Sequence, residues 1–170
     1  MIDKKYYFCP YCGTKIDFKI SCDFCFFCKN NIYTGPPIAC CTLLQTHSGI
    51  VLVLRKNGIM KNKWCLPGGF MQFGETPSTT ASRETKEETG YSVEVLNSPF
   101  CTIFDTNQNP NNSTLCLVFY GRIIAKNKII TEEIYQSKIF SPNDIPWENL
   151  AFTSTEVALK MALINHSKDS

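Results

Sequence analysis

The stretch TPSTTASRETKEETG, Thr76 to Gly90, carries a start and a stop for a helix but almost nothing apolar to hold one in place. Thr76 is a good N-cap, Pro77 suits the first helical position, and Gly90 is a natural C-terminal stop. Ala81 is the sole apolar residue after Pro77, so an apolar stripe cannot be what fastens this helix. Glu84, Glu87 and Glu88 stand at i, i+3 and i+4, within an arc of about 100° on one face. Like charges at these spacings repel, and anions in the last turn oppose the helix dipole. Arg83 and Lys86 offset this only in part. A sequence that tolerates such crowding has a use for it, and three carboxylates on one face are hard oxygen donors for Mg²⁺ or Mn²⁺. Gly68 and Gly69, just upstream, let the backbone come close enough for a main-chain carbonyl to join them.

The second constraint lies at the other end of the chain. Five of the ten cysteines fall within the first 28 residues. Cys9 and Cys12 form a C-x2-C pair, and downstream Cys22, Cys25 and Cys28 offer two overlapping pairs. Cys25/Cys28 leaves the longer loop, which suits the hairpin needed to bring two pairs together; Cys22 is then a spare thiol or an alternative ligand. Four thiolates suit a closed tetrahedral zinc site. A piece of this size cannot bury enough apolar surface to offset its backbone entropy, and metal binding fills the gap. This predicts a zinc-held domain over 1–35, closed by Gly35-Pro36-Pro37, and a second domain over 36–170. Cys40, Cys41, Cys65, Cys101 and Cys116 lie in strand-like contexts and read as small core residues.

The 170 residues are 44% hydrophobic and 19% charged, which fits a globular chain. A net charge of +2 is too small to imply a nucleic-acid or membrane surface, and no apolar run reaches spanning length. Neither a secretory signal nor a membrane segment is visible, so a cytoplasmic location is expected, with reduced thiols. The predicted strands are Ile38–Leu44, Ile50–Leu54, Tyr91–Leu96, Cys101–Phe104, a buried Thr114–Ile124, and one at Ile139–Phe140. A second helix over Thr153–Asn165 is expected to bury Val157, Leu159, Met161, Leu163 and Ile164. The sequence is thus of the α/β class, with strands and helices interleaved on one core. Phe70, Phe73, Trp64 and Tyr120 can stack on a base, though the core is the commoner place for each. The Asn-rich loop 105–113 can contact a ligand or simply be solvated, and His47 and His166 read as surface residues.

At this point the spacing resembles a family signature. Gly69, Glu75, Arg83, Glu84, Glu87, Glu88 and Gly90 fill the fixed positions of the Nudix box, G-x5-E-x7-R-E-U-x-E-E-x-G-U, with U apolar. Thr85 and Tyr91 replace the aliphatic residues usual at two U positions. The resemblance implies a Nudix α/β/α sandwich with a mixed sheet, here preceded by a small zinc ribbon. Tyr33 and Pro36 follow Cys28 at the spacing seen in zinc-ribbon Nudix proteins, which supports Cys9, Cys12, Cys25 and Cys28 as the zinc ligands. The glycine usual after the last cysteine is missing, and Lys29 stands there. The run Asp144–Phe152 is similar to the ending of a subfamily assigned to ADP-ribose and FAD hydrolysis, whereas the Q-P-W-P-F-P stretch of NADH pyrophosphatases is absent.

The resemblance implies an enzyme: a Mg- or Mn-dependent hydrolase of a nucleoside diphosphate linked to another group, releasing a nucleoside monophosphate. Glu84, Glu87 and Glu88 would hold the catalytic metal with help from the Gly68 carbonyl. Arg83 and Glu75 would orient them. Relatives often add a carboxylate before the last strand; Gln136 occupies that position, with Glu132 or Glu133 as substitutes. The expected partner is a small nucleotide, and a homodimer is a family-level expectation. The rival readings are an NADH or capped-RNA pyrophosphatase, and a nucleotide-sensing, nucleic-acid-binding protein without catalysis.

Overall fold

The computed structural model describes residues 8–16, 24–30, 36–58, 60–105, 113–126 and 133–166. The chain divides into two compact units, Met1–Pro36 and Pro37–Ser170.

In the first unit, two cysteine knuckles repeat one hydrogen-bond pattern. Gly13 N–H donates to the Cys9 carbonyl and Cys9 N–H to that of Thr14; Lys29 N–H donates to the Cys25 carbonyl and Cys25 N–H to that of Asn30. Gly13 and Lys29 occupy the same place in each turn, and both have positive φ, 73° and 59°. Glycine takes that conformation freely and lysine does not, so the second knuckle holds local strain at the position where the glycine is missing. Cys9, Ile16 and Cys25 form a very small core.

The second unit is built on β1 (Ile38–Thr46), β2 (Gly49–Arg55), β3 (Trp64–Cys65), β4 (Gly68–Phe70), β5 (Tyr91–Val95), β6 (Cys101–Asp105), β7 (Thr114–Lys126) and β8 (Ile134–Phe140). Two helices complete it, α1 (Pro77–Thr89) and α2 (Thr153–His166), with 3-10 turns at Pro142–Asp144 and Trp147–Asn149. The sheet is mixed. Among the described strands, β1 pairs in parallel with β7 and the other strand pairings are antiparallel; an isolated parallel bridge joins Trp64 to Leu150. β1 changes partners along its length: Ala39–Cys41 pair with β4 on one side, and Gln45–Thr46 pair with β2.

The alternation of β1 explains the layers. Cys40 clusters with Ala81 of α1, and Thr42 also meets α1; Leu43 clusters with Ala158 and Leu159 of α2. A strand covered on both faces reads as a near-continuous apolar run, as Ile38–Leu44 does. The expected α/β sandwich with a mixed sheet is therefore present.

Three expectations need correction. Thr114–Ile124 is not buried throughout: the strand extends to Lys126, its second half serves as the partner of β5, and Ile124 is 66% exposed. In α2 the buried stripe runs through Ala158, Leu159 and Ala162, while Met161 and Ile164 are exposed. Small residues let the helix sit close on the sheet, so side-chain size was a poor guide to its inner face. Phe70 and Phe73 lie outside the core, at 57% and 109% exposure, whereas Trp64 packs edge-on against Phe140 and Tyr120 stacks on Phe100.

Candidate functional site

α1 begins as its sequence dictates. The Thr76 hydroxyl accepts from Thr79 N–H, the Thr79 hydroxyl accepts from Thr76 N–H, and Gly90 closes the helix in the left-handed conformation at φ 74°. The inner face is held by hydroxyls. Thr80, Ala81, Thr85, Glu88 and Thr89 are buried. Thr85 lies 2.8 Å from the Thr42 hydroxyl and 2.7 Å from the Ala81 carbonyl, and the Thr42 hydroxyl also reaches that carbonyl at 3.3 Å. The threonine that replaces an aliphatic residue is thus fully paired, because β1 supplies a second threonine opposite it.

The outer face gathers the acids around one guanidinium. Arg83 donates from Nε and Nη2 to the two oxygens of Glu75 at 2.6 and 3.0 Å, and from Nη1 to Glu84 at 2.6 Å and Glu87 at 3.3 Å. Glu75 also accepts from Gln72 N–H and from the Thr80 hydroxyl, which lies at 2.7 Å. With Arg83 as the main cause and these donors assisting, its carboxyl is pushed down to about 2. Arg83 is held more firmly protonated still, chiefly by Glu75.

Glu84 and Glu88 are pushed the other way. Burial raises Glu84, with Arg83 opposing and the charges of Glu87 and Glu133 adding. Glu88 is 7% exposed and accepts from Gly68 N–H at 2.9 Å. Burial raises its carboxyl to about 8, against the Gly68 hydrogen bond and the charge of Arg55. Gly69 has a direct steric role: a Cβ there would meet the Glu84 carboxylate at 2.5 Å. Gly68 thus approaches the array through its N–H, and Gly69 through its missing side chain. Of the fourth-carboxylate candidates, Glu132 lies outside the described residues, as does segment 106–112 of the Asn-rich loop read as a ligand contact. Gln136 is exposed on β8, and Glu133 is the one whose charge bears on both Glu84 and Glu88.

Beside this array opens a cleft of about 230 Å³, lined by Gly68, Gly69, Phe70, Arg55, Asp105 and Phe152 among others. Arg55 lies over the Phe152 ring at 5.0 Å. Asp105 is buried and accepts from Ser154 N–H at 3.1 Å, fixing the start of α2. Arg55, Phe152 and Asp105 were not singled out from sequence. A basic residue closing an apolar strand was the available signal for Arg55. Asp105 was read as the start of a loop but ends β6. Cys40, Cys65 and Cys116 are buried core residues as expected, with Cys41 and Cys101 packed against the core; Cys41, Cys65 and Cys116 also line this cleft.

In the first unit, the sulfurs of Cys9, Cys12, Cys25 and Cys28 lie within 4.8 Å of one another and can hold a metal ion. Tyr11 N–H donates to Cys9 Sγ and the Asn30 amide to Cys28 Sγ. Hydrogen bonds led by the Thr14 hydroxyl lower Cys12 to about 6. Cys22 and Tyr33 lie outside the described residues.

Helix, strand order and acidic array together describe the α/β fold that carries the box found at Gly69–Gly90. Comparison agrees: the NUDIX domain family matches residues 34–159. The chain belongs to the Nudix family and is a hydrolase of the pyrophosphatase class. It is 29% identical over 129 residues to an ADP-ribose pyrophosphatase of Methanocaldococcus jannaschii, covering 76% of this chain and 75% of the relative. A NUDIX hydrolase from Nitrosomonas europaea superposes with a TM-score of 0.73 at 25% identity, over 91% of this chain and 89% of that one. The NUDIX domain of Shewanella oneidensis NrtR, solved with ADP ribose, superposes with a TM-score of 0.64 at 19% identity, over 78% and 90%.

Proposed function

We propose that this chain hydrolyses the diphosphate of a nucleoside diphosphate linked to a sugar or second group, with ADP-ribose as the leading substrate. The observation that carries the reading is the single array in which Arg83 holds Glu75, Glu84 and Glu87 beside the buried Glu88, joined through Gly68 and Gly69 to the cleft that these glycines line. The Methanocaldococcus jannaschii relative, an ADP-ribose pyrophosphatase, supports the choice of substrate.

Glu84, Glu87 and Glu88, with the Gly68 carbonyl, are the proposed holders of Mg²⁺ or Mn²⁺. The donor set fits a hard cation, since all its atoms are oxygens. Glu88 fits best, for a buried carboxylate raised to about 8 lacks a sufficient counter-charge of its own. Bound there, a divalent cation offsets the diphosphate charge and lowers the pKa of water. Arg83 and Glu75 are positioning residues: the bidentate pair fixes the guanidinium, which in turn fixes Glu84 and Glu87. One carboxylate of the set takes the proton of the attacking water as the new P–O bond forms and the bridging P–O bond breaks. Arg55 offers a cation to the substrate phosphates, and the exposed Phe70 ring a face for the base. In the first unit, Cys9, Cys12, Cys25 and Cys28 are the proposed ligands of a structural zinc.

The test is a panel of ADP-ribose, FAD, NADH and capped RNA with Mg²⁺ and with Mn²⁺. AMP release from ADP-ribose, lost in Glu87→Gln, is expected. A panel without turnover of any diphosphate overturns the reading.

A further inference from the structure

Two thiols in the cleft wall have no part in the proposed reaction. Cys41 of β1 and Cys116 of β7 lie on the same face of neighbouring strands, with their sulfurs 3.6 Å apart, and both line the cleft. That separation matches the sulfur pairs of the four-cysteine cluster, Cys9 to Cys28 and Cys12 to Cys25, each at 3.7 Å. Two sulfurs bonded to one tetrahedral centre at 2.3 Å stand about 3.8 Å apart.

The backbone register adds a second constraint. Cys41 is paired with Val118, and Ala39 with Cys116, so the two cysteines are offset by two residues across the parallel pair. Strand spacing and rise then put their Cα atoms about 8 Å apart, beyond the ~7 Å that a disulfide spans. The sulfurs are close enough to share a bonded centre but their backbones are too far apart to be joined directly.

We propose that Cys41 and Cys116 form a dithiol site that captures one thiophilic centre of the trivalent arsenical class across both sulfurs. With an organoarsenic oxide, two As–S bonds form. The two thiol protons leave with the arsenic-bound oxygen as water, and no oxidation state changes. An occupant of this wall fills part of a cleft of about 230 Å³ and excludes the nucleotide; that consequence rests on the proposed function, whereas the capture does not.

The test treats the zinc-loaded full chain with phenylarsine oxide and reads stoichiometry by native mass spectrometry and site by peptide mapping. One adduct per chain is expected, joining the Cys41 and Cys116 peptides, removed by 2,3-dimercaptopropanol and resistant to a monothiol. Cys41→Ala and Cys116→Ala should each weaken capture about 100-fold, the loss of one arm of a two-point attachment. Cys40→Ala, on the opposite face of the sheet, should retain it. Adducts confined to the Cys9, Cys12, Cys25 and Cys28 peptides, or undiminished in both cleft variants, overturn the proposal. So does ready closure of a Cys41–Cys116 disulfide by diamide. Capture at this pair with ADP-ribose turnover intact would uphold the dithiol site and remove the cleft from the proposed function.

Discussion

The four sulfurs of the first unit and the four glutamates around Arg83 are both crowded donor sets, and they are held in opposite ways. Among the described residues, the sulfurs are placed by backbone turns over a small core of Cys9, Ile16 and Cys25. The glutamates are placed by a helix packed on a sheet, and one guanidinium already binds three of them. On the proposed reading, the first set needs an ion in order to exist as a structure, whereas the second is already tied together by Arg83 and needs an ion only to act. One is then a folding element and the other a functional one.

The largest effect that can break this contrast is metal removal. A zinc-selective chelator, with Mg²⁺ present, should unfold the first unit alone, since structural zinc is worth about 10–16 kcal/mol in small domains. Alkylation of Cys9 should become fast while the main melting transition of the second unit persists. Loss of both together would mean that the two units are not independent. Next, Glu84→Gln, Glu87→Gln and Glu88→Gln should each lower kcat by about 10²–10⁴. The half-exposed Glu87 should do so with Tm nearly unchanged, as steady-state kinetics and calorimetry on the same preparation would show.

A pH series sharpens the second half of the contrast. Glu88 is raised, so between its ordinary pKa and about 8 the folded state holds a proton that the unfolded state has lost. Stability of the metal-free protein should therefore fall as pH rises through that window, by an amount on the order of 5 kcal/mol. Glu88→Gln should flatten the slope and Mg²⁺ should reverse it, as denaturant titrations at three pH values would reveal. Glu75 works in the opposite sense: it is depressed to about 2, so its contribution is intact above the ordinary carboxylate pKa and disappears only in strong acid.

Smaller effects test the supports. A double-mutant cycle of Thr42→Val and Thr85→Val should show a coupling of about 1 kcal/mol, the net value of a buried hydrogen bond. Lys29→Gly should relieve the left-handed strain and stabilise the first unit by up to about 1 kcal/mol, read as slower zinc loss.

The acidic array was legible in the sequence because a single helix sets its geometry: residues 83, 84, 87 and 88 have only one face to share, and both ends of that helix are marked. The strands of the sheet were legible for a similar reason, their periodicity being local. What could not be read was convergence. Arg55 ends β2, Asp105 ends β6 and Phe152 precedes α2, and no spacing along the chain relates them. They meet because β1 pairs with strands that lie far away in the sequence. Phe70 and Phe73 were misplaced because an exposed aromatic ring, at the cleft in the case of Phe70, has the same composition as one in a core. Thr85 looked like a weakness until its partner on β1 was visible.

Since Arg83 reaches Glu75, Glu84 and Glu87 with its three nitrogens, none of these acids can be re-aimed by itself. Shortening or neutralising any one of them frees an arm of the guanidinium, which then pulls on the other two. Change in this corner is collective, so adaptation to a new substrate is better accommodated by the Phe70 and Phe152 rings that line the cleft. Arg83 meets Phe70 at its backbone carbonyl, which any side chain there would retain.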